Sequence, residues 1–84
     1  YPNPFNLNTT LSYHLARSGM INISIYDLMG KNIKTLVNSF QKPGLKSVIW
    51  DATNDKGYEV AAGLYFYKME AGNFRRTNKM LLLK

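Results

Sequence analysis

His14 is the single histidine in 84 residues, and no cysteine is present. A serine-type triad needs an imidazole oriented by a carboxylate and facing a hydroxyl. Here the alternation around His14 puts it on a polar strand face, beside Ser12 and Thr10, which reads as a surface histidine. Glu59 and Glu70 are isolated, so no paired-carboxylate geometry can be inferred for glycoside chemistry. Without cysteine there is no disulfide, no thiolate zinc site and no thiol nucleophile. The glycines follow no phosphate-binding pattern; Gly57 and Gly63 in particular lack the following Lys-Ser/Thr. The segment Asp51-Ala52-Thr53-Asn54-Asp55-Lys56-Gly57 comes closest to a ligand site. Oxygen side chains at alternate positions, followed by a glycine, resemble a calcium loop. The distal bidentate carboxylate is missing, since Ala62 falls at that position, and Lys56 places a cation inside the loop. A turn closed by Asx side chains on backbone amides is the favoured reading. No catalytic residue, metal or cofactor is expected.

The charge balance is basic. Eleven Lys+Arg against five Asp+Glu give a formal +6 at pH 7, which favours anionic partners in general. Single-strand nucleic-acid binders interleave basic groups with exposed aromatics, for which Phe66 and Phe74 are available. Yet Arg75 and Arg76 are adjacent on a strand and point to opposite faces. Solvated charge is therefore the default, and nucleic acid is not an expected partner.

These residues must be carried by strands, because the dominant period is two. Thr9–Leu15 alternates with Leu11, Tyr13 and Leu15 on one face; Met20–Tyr26 does so with Ile21, Ile23 and Ile25. Asn32–Val37 (Ile33, Thr35 and Val37 sharing a face), Leu45–Trp50, Gly63–Glu70 and Phe74–Leu83 complete the set. Turns fall at Arg17-Ser18-Gly19, Asp27–Gly30, Asn54–Gly57 and Ala71-Gly72-Asn73, and a loop at Asn38–Gly44. Lys68 belongs in water, so Tyr65, Tyr67 and Met69 face inward. The two faces of the last strand, Met80 and Leu82 against Leu81 and Leu83, are equally apolar and leave its orientation open. Six or seven short strands at such spacing predict an all-β, small antiparallel immunoglobulin-like sandwich. Trp50 is expected in its core, and Tyr65, just after Gly63, at a tyrosine corner. At 9.6 kDa the chain exposes about 14,000 Å² unfolded and about 5,100 Å² folded. That supports one modest core with little room for a deep pocket. No apolar run is long enough to span a bilayer. Tyr1 is no initiator methionine, so the chain is expected to be part of something longer.

The opening Tyr1-Pro2-Asn3-Pro4-Phe5-Asn6 stands out. Its prolines fix φ and bias their predecessors toward extended backbone. Residues 1–8 are expected to form a stiff arm leading into a sandwich over 9–84.

Taken in order, Tyr1–Asn6, Ile25–Gly30, Trp50-Asp51, Asn54–Gly57, Gly63–Tyr67, Lys79-Met80 and terminal Lys84 resemble the C-terminal sorting domain of the type IX secretion system. The central part, Trp50–Tyr67, also resembles the immunoglobulin-like domain of the flagellar hook-capping protein. The resemblance covers essentially the whole chain. It implies a non-catalytic sorting domain that closes a larger exported polypeptide. Its implied partners are the outer-membrane translocation machinery and a sortase-like peptidase, which commonly cleaves it. The cargo would be routed through the periplasm and outer membrane to the cell surface or medium, and the domain would be a monomer. The positions matching the family's motifs are Pro2, Asn3, Pro4, Phe5, Asn6, Gly63, Tyr65, Lys79, Met80 and Lys84. Leu7 and Ala52 depart from it, replacing a usual proline and a frequent glycine. The last strand, with Lys79 and Lys84 beside Leu81 and Leu83, is the expected docking edge, by β-augmentation. The alternative is a spacer or carbohydrate-contacting module presenting Tyr26, Tyr58 and Phe66; a third reading, an oligomerising assembly piece, follows from the hook-cap likeness.

Overall fold

The computed structural model describes residues 9–83, which form six strands and, among the described residues, no helix. The strands are β1 (Thr9–Leu15), β2 (Gly19–Tyr26), β3 (Asn32–Gln41), β4 (Gly44–Trp50), β5 (Gly63–Ala71) and β6 (Phe74–Leu82). They build two antiparallel sheets. One pairs β1 with β4; the other has the order β3-β2-β5-β6. The sheets face each other across one apolar cluster. Leu11, Leu15 and Trp50 come from the first sheet, and Ile21, Ile23, Ile25, Tyr65, Met69 and Leu82 from the second. Each isoleucine of β2 is at most 1% exposed, and full burial of such a side chain contributes about 1.5–3 kcal/mol. The alternation that defines β2 therefore dictates which face of the central strand meets the core.

The inward placement of Tyr65 and Met69 holds, with Tyr67 packed at the margin of the cluster. The last strand turns Leu82 into the core and Met80 against it, leaving Leu81 and Leu83 exposed. Tertiary position decides this, because the second sheet is covered on one face only.

Two expectations need correction, both on β3. The loop expected at Asn38–Gly44 is mostly strand. Asn38, Ser39, Phe40 and Gln41 pair with Asn22, Ile21, Met20 and Gly19, and the Tyr13 hydroxyl donates to the Gln41 side chain at 2.6 Å. A neighbouring strand thus imposes order on a polar stretch of weak intrinsic preference. The single face expected for Ile33, Thr35 and Val37 is broken by register shifts between Ile23 and Ser24 and between Ile25 and Tyr26. These β-bulges bring Leu36 as well as Ile33 and Val37 against the core, and bulges of this kind twist an edge strand away from further pairing.

Candidate functional site

The residues singled out for chemistry are dispersed and externally placed. His14 is exposed on β1. Among the described residues no cluster of His, Asp or Glu could hold a metal ion. The Asp51–Gly57 segment is closed by its own side chains. Asn54 Oδ1 accepts from the amides of Lys56 and Tyr58 at 2.9 and 3.0 Å. Asp51 Oδ1 accepts from the Thr53 amide and hydroxyl. The Thr53 hydroxyl, chiefly, holds the Asp51 carboxyl below its ordinary value. The ammonium of Lys34 donates to Thr53 Oγ1 at 3.2 Å and to the Asn54 carbonyl at 3.3 Å. A cationic side chain thus already occupies one of the alternate side-chain oxygens, that of Thr53, and a backbone carbonyl of the loop. Asp55 fastens the loop to the sheet: its amide donates to the Ile33 carbonyl and its Oδ1 accepts from the Thr35 amide, both at 3.0 Å. The free edge of β3 is thereby capped.

The motif residues of the interior are bound up with the fold. Trp50 has no solvent exposure. Its ring meets Tyr65 edge-on at 5.2 Å, and its Nε1 donates to the Thr53 carbonyl at 2.9 Å, which satisfies the indole's one donor. The Tyr65 hydroxyl donates to the Ala61 carbonyl at 2.6 Å, the tie of a tyrosine corner. Burial, and secondarily the charge of Asp27, pushes the Tyr65 phenol above its ordinary value. Gly63, with φ of +146°, starts β5 in a conformation closed to other residues. Asp27 closes the β2–β3 turn, accepting from the Met29 and Lys31 amides at 2.9 Å, and Gly30 there takes φ of +84°. None of these groups presents a reactive surface.

What faces outward is strand β6. It is an edge of the four-stranded sheet, with Lys79 exposed and Met80 half-buried. The smaller sheet does not cover all four strands of the larger one. A cleft therefore opens between β1, at Leu11, Tyr13 and His14, and the inward side of β5 and β6, at Met69, Phe74 and Arg76. Pro2, Asn3, Pro4, Phe5, Asn6 and Lys84, and with them the arm and the departure at Leu7, lie outside the described residues. Of the three aromatics of the sugar-binding alternative, Tyr26 and Phe66 are half-buried register partners, while Tyr58 is exposed on the loop after Gly57. Ala52, which the sequence marks as a departure from the family's glycine at a turn, has a larger role. It lies fully buried beside Trp50 with φ of +65°, a strained core position instead of a bare turn residue; the glycine usual there was the available signal.

Comparison with known proteins gives a consistent picture. The profile of the family described as "Secretion system C-terminal sorting domain" matches residues 1–83. Among curated proteins none matches the sequence. Solved structures of similar fold include three FlgD proteins. FlgD from P. aeruginosa has 20% identity and a TM-score of 0.69, over 88% of this chain and 58% of its own. FlgD from Xanthomonas campestris, described in connection with hook capping in flagellar assembly, has 23% identity and a TM-score of 0.69, over 90% and 56%. Truncated FlgD from Helicobacter pylori has 25% identity and a TM-score of 0.56, over 93% and 62%. The chain thus spans under two thirds of each.

Proposed function

Because this chain belongs to the secretion system C-terminal sorting domain family, we propose that it is the address label of a larger polypeptide, read as a folded surface by the type IX outer-membrane machinery. The family is one of sorting signals for export to the cell surface or the medium. In the finer reading, the cargo performs whatever chemistry the parent has. The label itself is monomeric and non-catalytic, and a sortase-like peptidase removes it once the cargo is outside.

The observation that supports this reading is the position of β6 at the end of the larger sheet, with no further strand beside it among the described residues. Such an edge offers a row of backbone donors and acceptors to an incoming strand. Lys79, Met80 and Lys84 are assigned to that docking edge. Pro2, Asn3, Pro4, Phe5 and Asn6 are assigned to a stiff arm between cargo and label. Gly63 and Tyr65 serve the same site indirectly, by fixing β5 beside β6.

Fusion of residues 1–84 to a periplasmic reporter in a host carrying the type IX machinery tests the assignment. The reporter is expected outside the cell with the domain and in the periplasm without it. Mass spectrometry of the exported reporter is expected to show the domain removed. Equal export of reporter lacking these residues would refute the sorting role, and retention of the intact domain would refute its cleavage.

A further inference from the structure

Outward-facing strand positions in a solvated sheet are ordinarily polar. One end of the larger sheet breaks that rule. Leu64 and Leu81 are register partners on β5 and β6, 44% and 60% exposed. Phe66 lies two residues along, opposite both Lys79 and Tyr26. Leu83 extends the patch, and Leu28 from the β2–β3 turn adds to it, both exposed. Tyr26, Leu28, Phe66 and Thr77 line a shallow hollow within this surface. The patch is bounded: Asn22, Ser24 and the Glu70–Arg75 ion pair, at 3.3 Å, separate it from the Met20–Phe40 pair at the far end of the same face.

Positive charge predominates at its border. Lys79 stands beside Phe66, and the Lys68 ammonium lies 5.5 Å from the centre of the Tyr26 ring. Asp27 is the one carboxylate among the residues lining the hollow, and its Oδ1 is taken up by the Met29 and Lys31 amides. Contiguous exposed apolar area rimmed by polar groups marks an interaction site. A lysine border favours a partner whose own border carries carboxylates.

We propose that this outer face of β2, β5 and β6 docks a protein surface that is apolar at its centre and acidic at its margin. A hollow between aromatic rings accepts a partner side chain, the usual form of a binding hot spot; a lipid surface would make no use of it. The inference rests on the sorting reading and names a second recognition surface, one that uses side chains on the sheet face and leaves the backbone edge of β6 free.

The test uses the reporter fusion in the same host. The double substitution Leu64→Ser with Leu81→Ser, and separately Lys68→Glu, is expected to lower the exported fraction about tenfold, the change in binding produced by losing one hot-spot contact. Lys68 lies outside the core cluster and outside the docking edge, so its variant remains informative if the double variant misfolds. The matched control, Leu45→Ser with Ile49→Ser on the exposed side of β4, is expected to export normally. Export of both patch variants at the unsubstituted level would overturn the proposal. So would binding of the fusion to phosphatidylglycerol vesicles that the leucine substitutions abolish, because the patch would then be a lipid contact. Failure of the unsubstituted fusion to export would instead refute the sorting reading itself.

Discussion

Trp50 and Tyr65 illustrate how a motif can be structural at the level of single residues. Each buries a large ring, and each sends its one polar group to a backbone carbonyl within four residues. Replacing Tyr65 by Phe keeps the ring and removes the tie to Ala61. Loss of a hydrogen bond of this kind costs about 1 kcal/mol, so Tyr65→Phe is expected to lower the unfolding free energy by that amount in urea titration. The pH dependence should change as well. The folded-state phenol titrates above its ordinary 10.0, so the stability it contributes is complete below pH 10.0 and is lost as the pH rises further. The phenylalanine variant should show a shallower alkaline decline; an unchanged alkaline limb would contradict the burial argument. Ala52 presents the opposite case. Left-handed backbone costs a non-glycine residue about 1–2 kcal/mol, while its buried methyl returns about 0.8 kcal/mol. Ala52→Gly should therefore stabilise the domain slightly, by about 0.5 kcal/mol; a loss greater than about 1 kcal/mol would show that the methyl's packing dominates.

At the scale of elements, legibility tracked burial. β1 and β2 were readable because each buries one face, marked at alternate positions by Leu11, Tyr13 and Leu15 and by Ile21, Ile23 and Ile25. In β4 and β5 the outer faces also carry apolar residues, Ile49, Leu64 and Phe66, and in β5 it is Lys68 that marks the solvent side and turns Tyr65 and Met69 inward. The last strand was ambiguous, since Leu81 and Leu83 are exposed yet as apolar as Met80 and Leu82, and composition carries no record of which face meets solvent. β3 was misread at both levels. Its second half is held by pairing to β2, and its bulges reset the alternation; neither leaves a local signal. The Asp51–Gly57 turn was legible from its Asx residues, but its fastening to β3 through Asp55 and Lys34 is a long-range contact. Because the Lys34 ammonium sits on the loop oxygens, added millimolar calcium is expected to leave the melting temperature unchanged. A concentration-dependent rise would mean that the ion displaces the ammonium.

At the scale of the molecule, the residues that carry the resemblance to the family divide into two groups. Trp50, Asp51, Asn54, Asp55, Gly63 and Tyr65, with the turn at Asp27 and Gly30, build the sandwich and its turns. The surface proposed for recognition is the edge of β6, the Leu64–Leu81 face beside it, and positions outside the described residues. A rigid sandwich suits a label that must be read folded, because few loops need to be ordered on binding. The division also explains why the family can share a fold with FlgD at low identity: fold and site are separable. The most direct measurement is the exported fraction of the reporter fusion in two otherwise identical strains, one with and one without the outer-membrane translocon. The account predicts reporter outside the first strain and confined to the periplasm of the second. Equal amounts outside both would contradict it.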